Sequence, residues 1–167
     1  ETQLKFIQKN PYVDLCGSWV TLINDWGKKI GGYKRPLTDN AIKRTLNIYP
    51  AIIHPTFFGK RKFFLATKGY RKQYDGAEEY DLLMRARNKF KFANIPKRLV
   101  YFRLTNSRRS ILIIQKMQKL DLKIKLESLK VNGFNLLGLY GALKMFLAVY
   151  LVPIPIKIRI ARLLKLA

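Results

Sequence analysis

The sequence predicts an α/β layered body followed by a helical appendage, and three observations lead there. Strand-like runs rich in β-branched and aromatic residues alternate with segments of helical period up to about residue 107. From Ser107 onward only the helical pattern remains, broken at Gly133. The 167 residues, 49% hydrophobic and 13% aromatic, suffice for one sizeable core. Residues 1–107 are expected to form the main domain and 108–167 a helical, basic tail.

Taken in order, residues 3–9 read as a helix stopped by Pro11. The run YVDLCGSWVTLIND suits a strand, with Gly17 as a bulge. Its successor, WGKKIGGYKRPLTDN, reads as a loop or hairpin from its glycines and Pro36. Thr38 or Asp39 then caps a short helix over NAIKRTLNIY. AIIHPTFFGKRKFFLATKGY suggests a strand through Ile53, a turn near Gly59 and a helix closed by Gly69. Asp75 and Gly76 introduce a helix from Glu78 to about Lys89, with Leu82, Leu83 and Ala86 facing inward. FKFANIP and LVYFRL read as two short strands separated by Pro96.

The formal charge is +23, from 33 basic and 10 acidic residues. A field of that size attracts nucleic acid, anionic lipid or phosphorylated small molecules, and does not choose among them. The single cysteine, Cys16, excludes an internal disulfide framework and fits a reducing compartment. The opening ETQLKFIQKNPYVDL has neither the apolar core of a signal peptide nor an initiating Met. It reads as the end of a helix within something longer.

Against this basic background Asp75, Glu78, Glu79 and Asp81 place four acids within seven positions. Acids in a helix's first turn are stabilised by the helix dipole, by about 0.3–1 kcal/mol each when exposed. Asp81 and Arg85, four apart, can pair on the helix surface. The same geometry also suits chemistry. A carboxylate at a helix start, just after Asp-Gly, can project into a cleft and take a proton from an attacking hydroxyl. Nearby cations would keep it ionised. Composition alone does not choose between these readings.

A resemblance bears on the choice. GAEEYDLLMRARNKFKFANIPKRLVYFRL is similar to the segment of family 2 glycosyltransferases in which an EDYDLWLR stretch leads to KFANIPEPLLYYR. NPYVDLCGSWV resembles the strand that follows that family's metal-binding segment, and AIKRTLNIYPAIIHPTFFGKRKF resembles its NPIxHPTVMFRK region. The likeness covers about residues 5–107, with the pieces in the family's order. It implies the C-terminal part of a GT-A fold, an open mixed sheet flanked by helices, followed here by the amphipathic tail. It also implies sugar transfer from a nucleotide-sugar donor to an acceptor hydroxyl, in cell-surface polysaccharide or glycolipid synthesis. Glu79 matches the family's general base, with glutamate in place of the commoner aspartate, and Glu78 stands first in the pair. Inversion at the sugar follows from the resemblance as well.

Other residues are weighed beside it. His54 is the sole histidine, and taken alone reads as a structural residue. The resemblance puts it with Thr56 on the acceptor side, as substrate-binding candidates beside Glu78. Trp19 and Trp26 could stack on a sugar ring, although buried packing fits both. Arg85 and Arg87 could face a diphosphate, but the preferred reading is solvated cations of a helix face.

The family's nucleotide-binding half and its Asp-x-Asp motif do not occur in this sequence, nor does a Gly-rich phosphate loop or metal-ligand cluster. A divalent ion, Mg or Mn, is accordingly expected only in a complete enzyme, with none bound by this chain. The nucleotide-sugar donor would be held through the missing half, and the isolated chain is expected to be inactive.

No acid follows Glu127. Residues 136–156 approach the length of a membrane span, but Lys144 and the Pro153/Pro155 pair weaken that reading. The final IKIRIARLLKLA sets Lys157, Arg159, Arg162 and Lys165 among aliphatics, a composition suited to an anionic membrane surface. Packing on the catalytic body or on a partner chain is the alternative. A cytoplasmic protein, peripheral at the inner face of the cell membrane and acting on a glycan or lipid-linked acceptor, is the expectation. The rival functions are a basic nucleic-acid-binding module and a non-catalytic scaffold. The dispersed cations, the acidic knot and the lack of a binding motif argue against nucleic acid as a partner.

Overall fold

The computed structural model describes residues 1–104, 110–153 and 156, with side chains of the helix beginning at Ser110 described from Gln115. The domain boundary expected at 107 and the basic tail from Lys157 lie outside the described residues. Within them the chain is α/β, with a mixed open sheet of four strands and six helices.

Helix α1 (Thr2–Lys9) ends as Asn10 donates its side-chain amide to Phe6 O, ahead of Pro11. Strand β1 (Leu15–Ile23) is the centre of the sheet. Strand β2 (Lys29–Tyr33) folds back on it as an antiparallel hairpin, with Val20 opposite Tyr33. Strand β3 (Phe58–Gly59) pairs antiparallel with Leu15 and Cys16. Strand β4 (Phe92–Arg103) runs parallel to β1 along its length.

Two sequence expectations are corrected here. FKFANIP and LVYFRL form one strand, since register shifts beside Trp19 accommodate Pro96, which has no N–H to give to the ladder. No strand reaches Ile53. Ala51 and Ile52 are fully buried from an irregular segment, so their apolar character serves the core and not a ladder. Gly17 has a packing reason of its own: a Cβ there would meet Ile52 Cγ2 at 2.3 Å and Asn94 Oδ1 at 2.5 Å.

Helices α2 (Asp39–Thr45), α3 (Arg61–Thr67) and α4 (Glu78–Ala86) pack over a core of Leu15, Ile42, Leu46, Phe63, Tyr74, Tyr80 and Leu83. Each large apolar side chain buried there contributes about 1.5–3 kcal/mol. Asp39 does not cap α2 through its side chain. Its carboxylate accepts from Phe92 N at 3.0 Å and from Lys43 and Lys91, joining α2 to β4. α3 closes through Lys68 and Gly69, both with positive φ.

Helix α5 (Ser110–Val131) and helix α6 (Leu136–Tyr150) are joined at Gly133, whose φ of 88° turns the chain, and Asn135 caps α6 by accepting from Gly138 N at 2.7 Å. Gly138, Gly141 and Ala142 form the buried face of α6. At Gly141 a Cβ would lie 1.9 Å from Asn47 O, so the helix backbone itself presses on the segment after α2. Gly141→Ala is therefore expected to cost about 1–3 kcal/mol of overpacking. Hydrogen exchange should show protection lost across Leu136–Tyr150 and kept across Glu78–Ala86; unchanged protection of α6 would contradict this seating.

Candidate functional site

The acidic knot divides when the chain folds. Asp75 is exposed and pairs with Lys116 at 3.2 Å. Asp81 is 2% exposed and takes hydrogen bonds from Arg71 and Arg85, so the pair expected on the helix surface is interior. Arg85 also donates to Thr67 O and Gly69 O, and Arg87 to Asn47 Oδ1 and Lys43 O. Both arginines thus fasten neighbouring segments, where the sequence suggested a solvated helix face.

Glu78 and Glu79 remain at the helix start. Gly76, at φ 98°, turns the chain into α4, and its N–H donates to Glu78 Oε2 at 2.7 Å. That bond satisfies a backbone donor ahead of a helix whose N-cap, Ala77, has no side-chain cap of its own.

His54 comes to the same place from a 3₁₀ turn, His54–Thr56, that is hydrogen-bonded to β1. Thr56 Oγ1 donates to Ile53 O at 2.6 Å and accepts from Ser18 N at 3.1 Å. Gln3 donates its amide to Thr56 O at 2.7 Å. Asn94, in KFANIP, donates to Pro36 O and Ala51 O, tying the segment before His54 to β4. His54 Nδ1 then stands 3.9 Å from Glu78 Oε1 and 3.8 Å from Glu79 Oε2. Its Nε2 shares a hydrogen bond of 2.9 Å with the Tyr70 hydroxyl, and Phe57 packs edge-on against the ring.

The side chains of His54, Glu78 and Glu79 are 37, 28 and 18% exposed, so the group is accessible yet partly dehydrated. Burial pushes the Glu79 carboxyl above its ordinary value, the charge of Glu78 adds to this, and His54 opposes it. Cations were expected to hold this acid down. Dehydration prevails over the lowering effects of the Glu79 backbone N–H and of His54. Burial, with Glu79 and Glu78 behind it, also raises Tyr70.

Of the residues singled out by sequence, Glu78, Glu79 and His54 are brought together. Thr56 is 1% exposed, and its hydroxyl is used to build the turn. Trp19 is engaged elsewhere, its indole N–H donating to Arg35 O at 3.0 Å beside the Lys34 ammonium. Trp26, for which packing was the expected role, is 87% exposed at the hairpin turn. Cys16 is a fully buried core residue, its thiol pushed up to about 11 by burial. Tyr70 was not anticipated. Its only sequence cue is an aromatic immediately after the Gly69 helix stop.

One imidazole nitrogen and two carboxylates lie within 4.8 Å of one another in this group. Such a set could hold a metal ion; the Asp-x-Asp pair to which the resemblance assigns the divalent ion does not occur in the sequence.

Glu79 also lines a cavity of about 240 Å³. Pro50, Gly76, Ala77 and Tyr80 wall it on the side of the sheet domain, and Met117, Gln118, Asp121 and Met145 wall it from α5 and α6. Asp121 is paired there with Lys125, itself 2% exposed.

No protein-family model matches this sequence, and no curated protein matches it either.

Proposed function

We propose that this chain carries the acceptor side and general base of a GT-A, family 2 type glycosyltransferase. The reaction is transfer of a sugar from a nucleotide-sugar donor to an acceptor hydroxyl, in cell-surface polysaccharide or glycolipid synthesis. The observation that carries the reading is the meeting of Glu79, Glu78 and His54, contributed by separate segments that each resemble a piece of that family.

In this reading the acceptor hydroxyl donates a hydrogen bond to Glu79. As its oxygen bonds to the anomeric carbon, the proton passes to the Glu79 carboxylate. The bond from that carbon to the diphosphate breaks, and the nucleoside diphosphate leaves with its electron pair. Partial dehydration makes Glu79 a stronger base than an exposed glutamate. His54, oriented by Tyr70, faces the carboxylates and opposes the rise that burial imposes on Glu79.

Donor binding belongs to the nucleotide-binding half that the resemblance places ahead of these residues. Calorimetric titration of the 167-residue chain with a nucleoside diphosphate sugar is expected to show no tight binding. Tight binding would overturn this division of labour.

The same reading puts the protein at an anionic membrane surface, on the cytoplasmic side. Among the described residues no helix is long and apolar enough to cross a membrane. Helix α6 instead exposes Leu139, Tyr140, Leu143, Phe146, Leu147 and Tyr150, on a chain of charge +23. An apolar face on a strongly basic protein complements a negatively charged bilayer. The double variant Leu143→Glu/Phe146→Glu should lose flotation with phosphatidylglycerol vesicles at physiological salt. Flotation equal to the native chain would remove α6 from the explanation.

A further inference from the structure

The cavity beside Glu79 has a composition that selects its occupant. Its volume is about 240 Å³. That is below the roughly 300–1,000 Å³ of pockets that enclose a whole drug-sized ligand, so only part of a molecule enters. Met117 and Met145 supply flexible thioether walls, and Pro50 and Tyr80 complete an apolar lining. Of the two acids present, Asp121 is neutralised by the buried Lys125 ammonium. Glu79, at the helix start, is the acid shared with the His54 group.

Several ligand classes are thereby disfavoured. A phosphate or nucleotide would bring negative charge against the Glu79 carboxylate. A free sugar would leave most of its hydroxyls facing apolar walls, at a cost for each unpaired polar group. A neutral aliphatic group with one hydroxyl at its end satisfies both the walls and Glu79.

We propose that this cavity binds the aliphatic portion of an alcohol acceptor and seats its hydroxyl against Glu79. The helical appendage is then half of an acceptor pocket, since α5 and α6 supply Met117, Asp121 and Met145. The purpose given to the pocket rests on the reading of Glu79 as base; its occupancy by an aliphatic alcohol does not.

The chain contains three methionines, which makes the test direct. With ¹³C-methyl-labelled methionine, the full chain is titrated with hexan-1-ol, hexyl β-D-glucoside and glucose. Met117 and Met145 are expected to shift saturably with both hexyl compounds and to ignore glucose. Met84, on α4 and facing a different cavity, should stay in place and report an intact fold. Filling the cavity by Met117→Trp should weaken the response of Met145 at least about tenfold, with Met145→Trp as the reciprocal check on Met117. Saturable shifts with glucose alone, movement of all three methyls together, or no saturable shift would each overturn the proposal. Glu79→Gln keeps the apolar walls and should still bind hexan-1-ol. Binding by that variant with transfer unchanged would sink the base reading alone. Loss of transfer without any hexanol binding in the native chain would sink the pocket alone.

Discussion

With Glu79 in the proposed role of general base, Glu79→Gln is expected to lower sugar transfer about 10²–10⁴-fold, the range typical of removing such a group. Glutamine keeps the length of the side chain and its place at the start of α4, so the fold and the cavity persist. What it loses is the capacity to take the acceptor's proton. Donor affinity should be unchanged, because the proposed reading assigns the donor to other residues. The fold should become somewhat more tolerant of neutral pH. A carboxyl raised by burial is stabilising while protonated and loses that contribution as pH rises through its folded value, a loss glutamine does not suffer. Rates within threefold of native would leave Glu79 with only a structural role.

The second large effect concerns stability. Asp81→Asn removes the charge from a carboxylate that is 2% exposed and holds two guanidinium groups. Arg71 donates through Nε at 3.0 Å and through Nη2, reaches Glu127 on α5 at 3.4 Å, and stacks over Tyr74 at 4.4 Å. Arg85 donates at 3.0 Å to Asp81 and carries on to the carbonyls that end α3. One carboxylate therefore fastens α3, α4 and α5 together. Breaking a buried pair from one side costs about 3–5 kcal/mol. Water reaching Arg71, 36% exposed, places the expected loss at the lower end, about 3 kcal/mol. In a chain of this length that is a fall in Tm of about 6–12 °C. A loss under about 1 kcal/mol by urea unfolding would show that the arginines find other partners.

Asp81 also illustrates what was legible and what was not. Its spacing to Arg85 gave the pair, but Arg71, ten residues earlier, made it an interior group, and periodicity has no term for such a neighbour. The central strand, its hairpin and the core face of α4 were readable, because alternation and helical spacing are local properties. Ile52 and Pro96 misled for opposite reasons. One is an apolar residue that plugs the core from a loop; the other is a ladder-breaking residue absorbed by a bulge. At the site, Glu78, Glu79 and His54 could be nominated one by one from the resemblance. Their convergence required the 3₁₀ turn that Ser18, Gln3 and Asn94 hold in place. Thr56 was nominated for the cleft, yet its hydroxyl is spent on that turn. Tyr70 had only its place after the Gly69 helix stop to mark it.

The role of Glu79 is tested most directly by the pH dependence of kcat/KM in the complete enzyme, native against Glu79→Gln. In the proposed role Glu79 works only when ionised, and burial raises its carboxyl above the ordinary value. The native rate should therefore rise with pH through a single ionisation lying above that range, and the variant's residual rate should lack that acidic limb. The same limb in both proteins would contradict the assignment of Glu79 as the base.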